Sequence, residues 1–500
     1  MNNTTSTSSS TSSSSSINYG RQRIVLDYDE VTSENVLEVL EKALETHESN
    51  QSDCEYLINY FLGEQDILDR TESQTSNINN KIVVNHAFPI TREIVGYTLG
   101  NPIELTPITS GARSDVDTIN KLYNYEEMYM VDTNTATYSS ICGVGYYITL
   151  PSSEITKDNT PDVPIVTDTL DPRYTFVVQS SSVMNPQIMS CHYVETDDHT
   201  IYTCYTDKYK FVITDMDTVE TTTNPIGYDP ITMEENSLFL TGDWEQAISV
   251  MNAENIVASD SINDIEGTIR SLLVILGAEF EDGDETTLST VKKNRLLTLS
   301  NASGGNVDAK FISPSLDSVS TENIREYLQD ARNIITGIPD RDSTSTGGDT
   351  GTAVLNRNGW TDIEIVAKLK ELAIKKAKKR QLQVAIEILK KLNLVSDSLM
   401  VTDIDINIDR HRMDNLSART SAFSTLVATG ELATIDCLEM SGLTNRATEV
   451  VERGKEAKAE RQQDTINSIT ETSQSNDNSN GETTETANGT QTTSTTTETK

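Results

Sequence analysis

DSTSTGGDTGTAVL (342–355) sits between two stretches of helical spacing, and its reading decides the fold. If it binds a phosphate, the chain is a nucleotide-binding α/β protein; if it does not, the stretch is a connector in some other architecture. A phosphate loop of the form G-x-x-x-x-G-K-[ST] needs a Lys to reach the β/γ-phosphates and a hydroxyl for magnesium, and it follows a buried strand. Here Thr352 and Ala353 follow Gly351, and Asp349 would repel a phosphate. The segment ahead, TENIREYLQDARNIITGI (321–338), places Ile324, Tyr327, Leu328, Ala331, Ile334 and Ile335 at three- and four-residue steps, which is helical spacing. Behind it a strongly basic helical pattern runs from about Thr361 to Leu394. The stretch therefore joins two helices, and its glycines supply backbone freedom rather than a phosphate cradle.

The bulk numbers narrow the function classes. The 500 residues are long enough for several domains. There are 77 acidic against 39 basic residues, a formal net charge of −38. Such a surface does not draw in nucleic acid by counterion release. Within 368–391 nine Lys/Arg stand against two Glu. In a chain this acidic, that run is expected to be a solvated helix face paired with acidic neighbours. Five dispersed cysteines (Cys54, Cys142, Cys191, Cys204, Cys437) with no C-x-x-C suggest reduced thiols rather than a disulfide framework. Cys191-His192 and Cys204 would supply a partial metal site if they met across a hairpin, but a fourth ligand is missing, and buried small side chains are the expectation. The five histidines (47, 86, 192, 199, 411) are far apart, and neither H-E-x-x-H nor G-x-S-x-G occurs. No catalytic residue, metal or cofactor is assigned. The polar N-terminus has no signal-peptide core, and the most apolar run, IRSLLVILGAEF (269–280), is shorter than the ~18 residues of a membrane span.

Along the chain, amphipathic helices are expected at 33–48, at 54–68 with an end at Gly63, and at 81–105, where Pro89 either kinks the helix or sits in the first turn of a new one. Another is expected over 119–140. From 141 to about 231 the pattern becomes strands: GVGYYITL, YTFVVQS, IMSCHYV, TIYTCYT and YKFVIT. Helical spacing returns over 242–277. A short strand is expected at 309–315, the basic helix at 361–394, a strand at 402–409 and a small helical group at 414–460.

Several local stretches, in order, resemble a portal protein of tailed bacteriophages, in the branch found in long-tailed phages of Gram-positive hosts. YFLGEQDIL (60–68) is similar to an early Y-x-x-G-x-x-x-I-L motif. NKIVVNHAFPITREIVGYTLGNPIEL (80–105) resembles N-[KR]-[IL]-V-x-N…IV…GY-x-x-G-x-P, and LDPRYTFVV (170–178) resembles D-P-R-x-x-F-V-V. NPIGYDPI (224–231) with GDWEQAISVMNAEN (242–255) resembles the passage into the first stem helix. The matches span about 55–460. Two departures are Pro89, in what is usually an unbroken helix, and TGTAVLNR (350–357) in place of S-G-x-A-L-[KR].

The resemblance implies an α+β portal-type subunit with an α/β wing, a two-helix stem, a small α/β clip, a long bridging helix and a helical crown. The expected parts are a disordered tract at 1–29, the wing at 30–241, stem helices at 242–270 and 321–341, and the clip at 271–320. A tunnel loop at 342–360 follows, then the long helix and wing return strand at 361–413, the crown at 414–460 and a disordered tail at 461–500. It further implies a homo-oligomeric ring, typically a dodecamer, at one capsid vertex of the virion, assembled in the host cytoplasm and contacting no membrane. Double-stranded DNA would pass through it. Its partners would be a terminase, a head-tail adaptor, and the major capsid and scaffolding proteins. Gly347, Gly348, Asp349, Thr350, Gly351, Thr352 and Arg357 would line the channel; Lys292, Lys293 and Arg295 of the clip would face a docking partner. The readings set against this are a nucleic-acid-dependent ATPase or other enzyme using the 343–352 loop, and a different acidic virion protein.

Overall fold

A computed structural model describes residues 19–71, 78–152, 163–269, 272–276, 296–299, 308–312, 318–339, 360–410, 416–444, 447 and 450–463. They fall into two compact units, Met1–Arg412 and Met413–Lys500.

In the first unit, helix α1 (Val36–Leu62) is one 27-residue element where the spacing suggested two. The polar stretch that looked like a break is satisfied from outside the helix. His47 Nε2 donates to the Arg173 carbonyl (3.1 Å), and Asn50 exchanges two 2.8 Å bonds with the backbone of Gln22. Burial holds the His47 pKa down to about 4, so the ring enters the core neutral. The helix ends as expected at Gly63, whose φ of 103° suits glycine. Helix α2 (Ala87–Thr98) starts two residues before Pro89, so the proline lies in the first turn, where its missing N–H breaks no helical bond. The single helix expected over 119–140 is two, α3 (Arg113–Tyr125) and α4 (Met128–Cys142). They part at Glu127, which adopts φ 50° without any Gly or Pro to announce it.

The strands form two main sheets. β1 (Ile24–Leu26) lies inside the tract expected to be disordered and pairs in parallel with β5 (Thr175–Ser180). The sheet continues antiparallel through β6 (Gln187–Glu195), β7 (Thr200–Tyr205), β8 (Tyr209–Thr214) and β9 (Thr218–Thr223). The amino-terminal half of α1 covers it, burying Val36, Val39, Leu40 and Ala43 against Phe176, Val178, Met189 and Phe211. A second sheet runs in the order β10 (Ile231–Glu235), β3 (Val144–Pro151), β4 (Ile165–Leu170). β3 is buried along most of its length because helices pack on it. β14 (Ile404–Asn407) returns to pair with β2 (Glu104–Pro107).

The rest of the unit is α5 (Ile248–Ile269), α6 (Ser318–Thr336) and the 32-residue α7 (Trp360–Lys391), which spans roughly 48 Å. LLVIL, expected as the end of a helix, is strand β11 (Leu272–Leu276); a short continuous apolar run does not distinguish helix from strand by period. It pairs in parallel with β12 (Leu296–Leu299) and antiparallel with β13 (Asp308–Ile312). The second unit contains α8 (Leu416–Ala428), α9 (Thr434–Ser441) and helical residues 450–463; Arg419 joins α8 to the Gly442 carbonyl at 2.6 Å.

Candidate functional site: two paired helices, their anchors and their outward faces

Helices α5 and α6 pack together, and α5 is lashed to the extended segment 80–84. The backbone N–H groups of Asn80, Ile82 and Val84 donate to Asn263 Oδ1 (2.8 Å), Ser259 Oγ (2.9 Å) and Asn255 Oδ1 (2.7 Å). The spacing matches for a simple reason. Two residues of extended chain advance about 6.7 Å, and four residues of helix advance about 6 Å. Every second amide of one element therefore meets every fourth side chain of the other. Asn80 Nδ2 adds a bond to Glu266 Oε2 (2.9 Å), and Asn85 Nδ2 reaches the Phe61 carbonyl at 2.8 Å. This gives NKIVVN a physical role that the sequence motif did not reveal.

Between α5 and α6, Arg332 donates to Glu254 Oε1 at 2.5 Å, with both side chains largely buried. His86 Nε2 lies 3.5 Å from Glu254 Oε2. Burial, with Arg332 nearby, pushes the His86 pKa down to about 4, so the ring is neutral there at pH 7.

GDWE (242–245) leads into α5 and contacts α1, α2, α4 and α7, and each residue has a separate task. A Cβ on Gly242 would come 2.4 Å from the Ile141 carbonyl oxygen, so the close approach requires glycine. Asp243 accepts from Ser140 Oγ (2.5 Å), Asn236 Nδ2 (2.8 Å) and Lys370 Nζ (2.8 Å). Trp244 is fully buried, stacks on Tyr60 at 5.5 Å and donates Nε1–H to Thr91 Oγ1 (2.9 Å). Glu245 accepts from Arg21 NH2 (2.6 Å) and from the amides of Gly20 and Gly242 (both 2.7 Å).

The basic run of α7 pairs with acids as expected: Lys375 with Glu371 (2.8 Å), Lys376 with Glu235 (2.6 Å) and Lys390 with Glu387 (2.9 Å). The solvated face is a correction in part, because Lys370 and Lys378 point inward and are buried. Lys370 meets Asp243, and Lys378 meets Asp132 at 2.7 Å. Burial pulls Lys378 below its ordinary pKa and raises Asp132, while their mutual attraction opposes both shifts.

The apolar stripe of α6 has the predicted period and the opposite direction. Arg332 and Thr336 are its buried residues, whereas Val319, Ile324, Tyr327 (71 % exposed) and Ile334 (81 % exposed) face away from the core. On α7, Ile365, Leu369 and Leu372 are likewise exposed. The two helices meet at Gly337, φ 68°, where an added Cβ would lie 2.8 Å from Val366 Cγ2.

Gly347, Gly348, Asp349, Thr350, Gly351, Thr352 and Arg357, and the cluster Lys292, Lys293 and Arg295, all lie outside the described residues. Cys191 and Cys204 do face each other across β6 and β7, both buried, as the hairpin reading anticipated. His192 bonds instead to Thr175 Oγ1 through Nδ1 (2.9 Å). No group of three or more metal-binding side chains occurs among the described residues, and none of the described helices is long and apolar enough to cross a membrane.

No curated protein matches this chain. Among solved structures, it is similar to a chain from the neck of an empty GTA particle, at 12% identity and TM-score 0.44, covering 71% of this chain and 89% of that one. A chain from the neck of a native GTA particle aligns at 13% identity and TM-score 0.43, covering 72% and 91%. The family described as phage portal protein, SPP1 Gp6-like, matches residues 40–464. With most of its length matched, the chain belongs to the SPP1 Gp6-like family of phage portal proteins.

Proposed function

We propose that this portal protein acts as a homo-oligomeric ring, typically a dodecamer, at one capsid vertex of a long-tailed phage of a Gram-positive host. The ring is the channel for packaging and ejecting double-stranded DNA and the platform for terminase and head-tail adaptor. The observation that carries this reading is family membership over residues 40–464. The outward apolar stripe of α6 supports it, because a helix that turns its large side chains to water is suited to burial by another chain. The role is structural; the chemistry of packaging belongs to a separate ATPase.

In this reading, 30–241 with the return strand is the wing, α5 and α6 are the stem, 271–320 is the clip, α7 bridges to a crown at 414–460, and 342–360 is the tunnel loop. Gly347, Gly348 and Gly351 let the loop follow a DNA helix whose symmetry differs from that of the ring. A wall poor in cations avoids holding phosphates, and Arg357 touches the backbone only in passing. Lys292, Lys293 and Arg295 face the docked partner.

End-on electron microscopy of the purified protein tests the central claim. Closed rings with a hole of DNA width are expected; a chain that stays monomeric at all concentrations, with and without capsid partners, would refute it. Deleting 345–352 should leave rings intact and impair packaging, and loss of rings would remove the tunnel-loop assignment. Changing Lys292, Lys293 and Arg295 to Glu should weaken adaptor or terminase binding; undiminished binding would count against the docking role.

A further inference from the structure

The exposed apolar stripes of α6 and α7 each carry charge along one edge, and the signs are opposite. On α6, Glu322, Glu326 and Asp330 follow one another at four-residue steps beside Val319, Tyr327 and Ile334. At about 100° per residue the three acids run in line with Val319, along one side of Tyr327 and Ile334. On α7, Lys368 and Lys379 border Ile365, Leu369 and Leu372 in the same manner.

The pairing pattern sets these lysines apart. Lys370, Lys375, Lys376, Lys378 and Lys390 each have a carboxylate partner in the same chain. Lys368 and Lys379 have none among the described residues, nor do Glu326 and Asp330 of α6. Arg380 is likewise exposed and without a carboxylate partner among the described residues, and in a chain of net charge −38 such unneutralised cations beside bare leucines are unusual. The acidic row Glu322 to Asp330 covers about 12 Å of helix and Lys368 to Lys379 about 16.5 Å, a difference within the reach of two lysine side chains. Both stripes are exposed in the single chain, so neither covers the other.

We propose that the α7 stripe of one subunit packs on the α6 stripe of a second copy, leucines against Tyr327 and Ile334, with Lys368 and Lys379 facing the acidic row of Glu322, Glu326 and Asp330. This inference rests on the ring reading and deepens it by naming the partner surfaces. Because the two surfaces are different patches of one chain, the contact is head-to-tail, the kind that generates a ring when the rotation closes. The ion pairs set register and partner choice, and the apolar stripes supply most of the affinity.

The test is a charge-reversal cycle on the full chain: Glu326→Lys with Asp330→Lys, Lys368→Glu with Lys379→Glu, and the quadruple variant. Sedimentation velocity and end-on microscopy read ring formation, and an unchanged far-ultraviolet circular dichroism spectrum confirms folding. Each double variant should require at least about tenfold more protein for half-assembly, since it converts attractive pairs at every contact into repulsive ones. The quadruple variant should return toward the wild type, and raised salt should shrink all the differences. Rings that form equally well in both doubles overturn the pairing while leaving the ring reading intact. So do doubles whose loss the quadruple fails to restore. If the reversals instead lower the unfolding midpoint of the unassembled chain, the stripes are covered within one subunit, which also overturns it. A wild type that forms no rings removes the ring reading itself, and this pairing with it.

Discussion

Replacing Lys378 with Met should destabilise the first unit more than most single changes could. The ammonium lies 2.7 Å from Asp132 Oδ1, and the two side chains are only 1% and 3% exposed. It also sits 5.0 Å from the Tyr123 ring centroid and 5.6 Å from that of Tyr147. At 2.7 Å and an effective dielectric of about 20, Coulomb's law gives a gross attraction of about 6 kcal/mol, most of it offset by desolvation of both charges. Met keeps the volume of the lysine stem, so the variant removes charge rather than packing. What remains is a buried carboxylate without its cation, and losses of this kind run to about 3–5 kcal/mol. That is a large part of the roughly 5–15 kcal/mol that holds a domain folded. Adding Asp132→Asn removes the orphaned charge and should bring the double variant to within about 1–2 kcal/mol of the wild type.

Urea unfolding followed by Trp244 fluorescence, in a Trp360→Phe background, reads the difference at this core. The m-value checks that the unfolding transition has not changed character. The pH dependence supplies a second arm. In Lys378→Met, Asp132 has a folded-state pKa above its unfolded value, so protonation favours the folded form and stability returns as pH falls through that folded value. A single variant within about 1 kcal/mol of the wild type, or a double variant as unstable as the single, would refute the reasoning.

Three other changes follow from the same geometry. Glu234 is fully buried, and desolvation raises its pKa to about 7, so it destabilises the fold when ionised; Glu234→Gln should gain most over the wild type at pH 8 and lose that advantage by pH 5, and a pH-independent difference in unfolding midpoint would contradict this. Asn255→Ala removes the acceptor for the Val84 amide and the donor to Gln65 Oε1 (2.6 Å), costing about 2–3 kcal/mol, with early loss of hydrogen-exchange protection at Val84 while α5 stays protected. Gly337→Ala should cost about 1–2 kcal/mol from its left-handed φ, plus the clash with Val366; adding Val366→Ala should recover only the steric part, as read from thermal unfolding.

The sequence revealed periods well and directions poorly. The helices on either side of 342–355, the end of α1 at Gly63 and five of the strands were readable because they depend on local spacing and turn chemistry. The continuity of α1 was not, because Asn50 and His47 are satisfied by Gln22 and Arg173, which lie 28 and 126 residues away. β1 has only three residues and is specified by its partner β5 rather than by any pattern of its own. The same holds for the anchors. NKIVVN and GDWE were visible as motifs, but their work is done across separations such as Ile82 to Ser259 and Arg21 to Glu245. The stripe of α6 was legible as a helix face, yet nothing local states whether such a face meets its own chain or another.

The basic run of α7 shows how this matters for function. Read as charge alone, nine cations within 368–391 look like a nucleic-acid surface. In the fold, Lys370 and Lys378 are consumed by Asp243 and Asp132 inside the core, and Lys375, Lys376 and Lys390 by acids nearby. Lys391 caps the carbonyls of Pro225 and Ile226. Lys378 ties the long helix to α4, and Lys370 ties it to the GDWE segment. On the proposed function, a conduit must be stiff where DNA strains it, and cations already paired with carboxylates offer the passing phosphates little to hold.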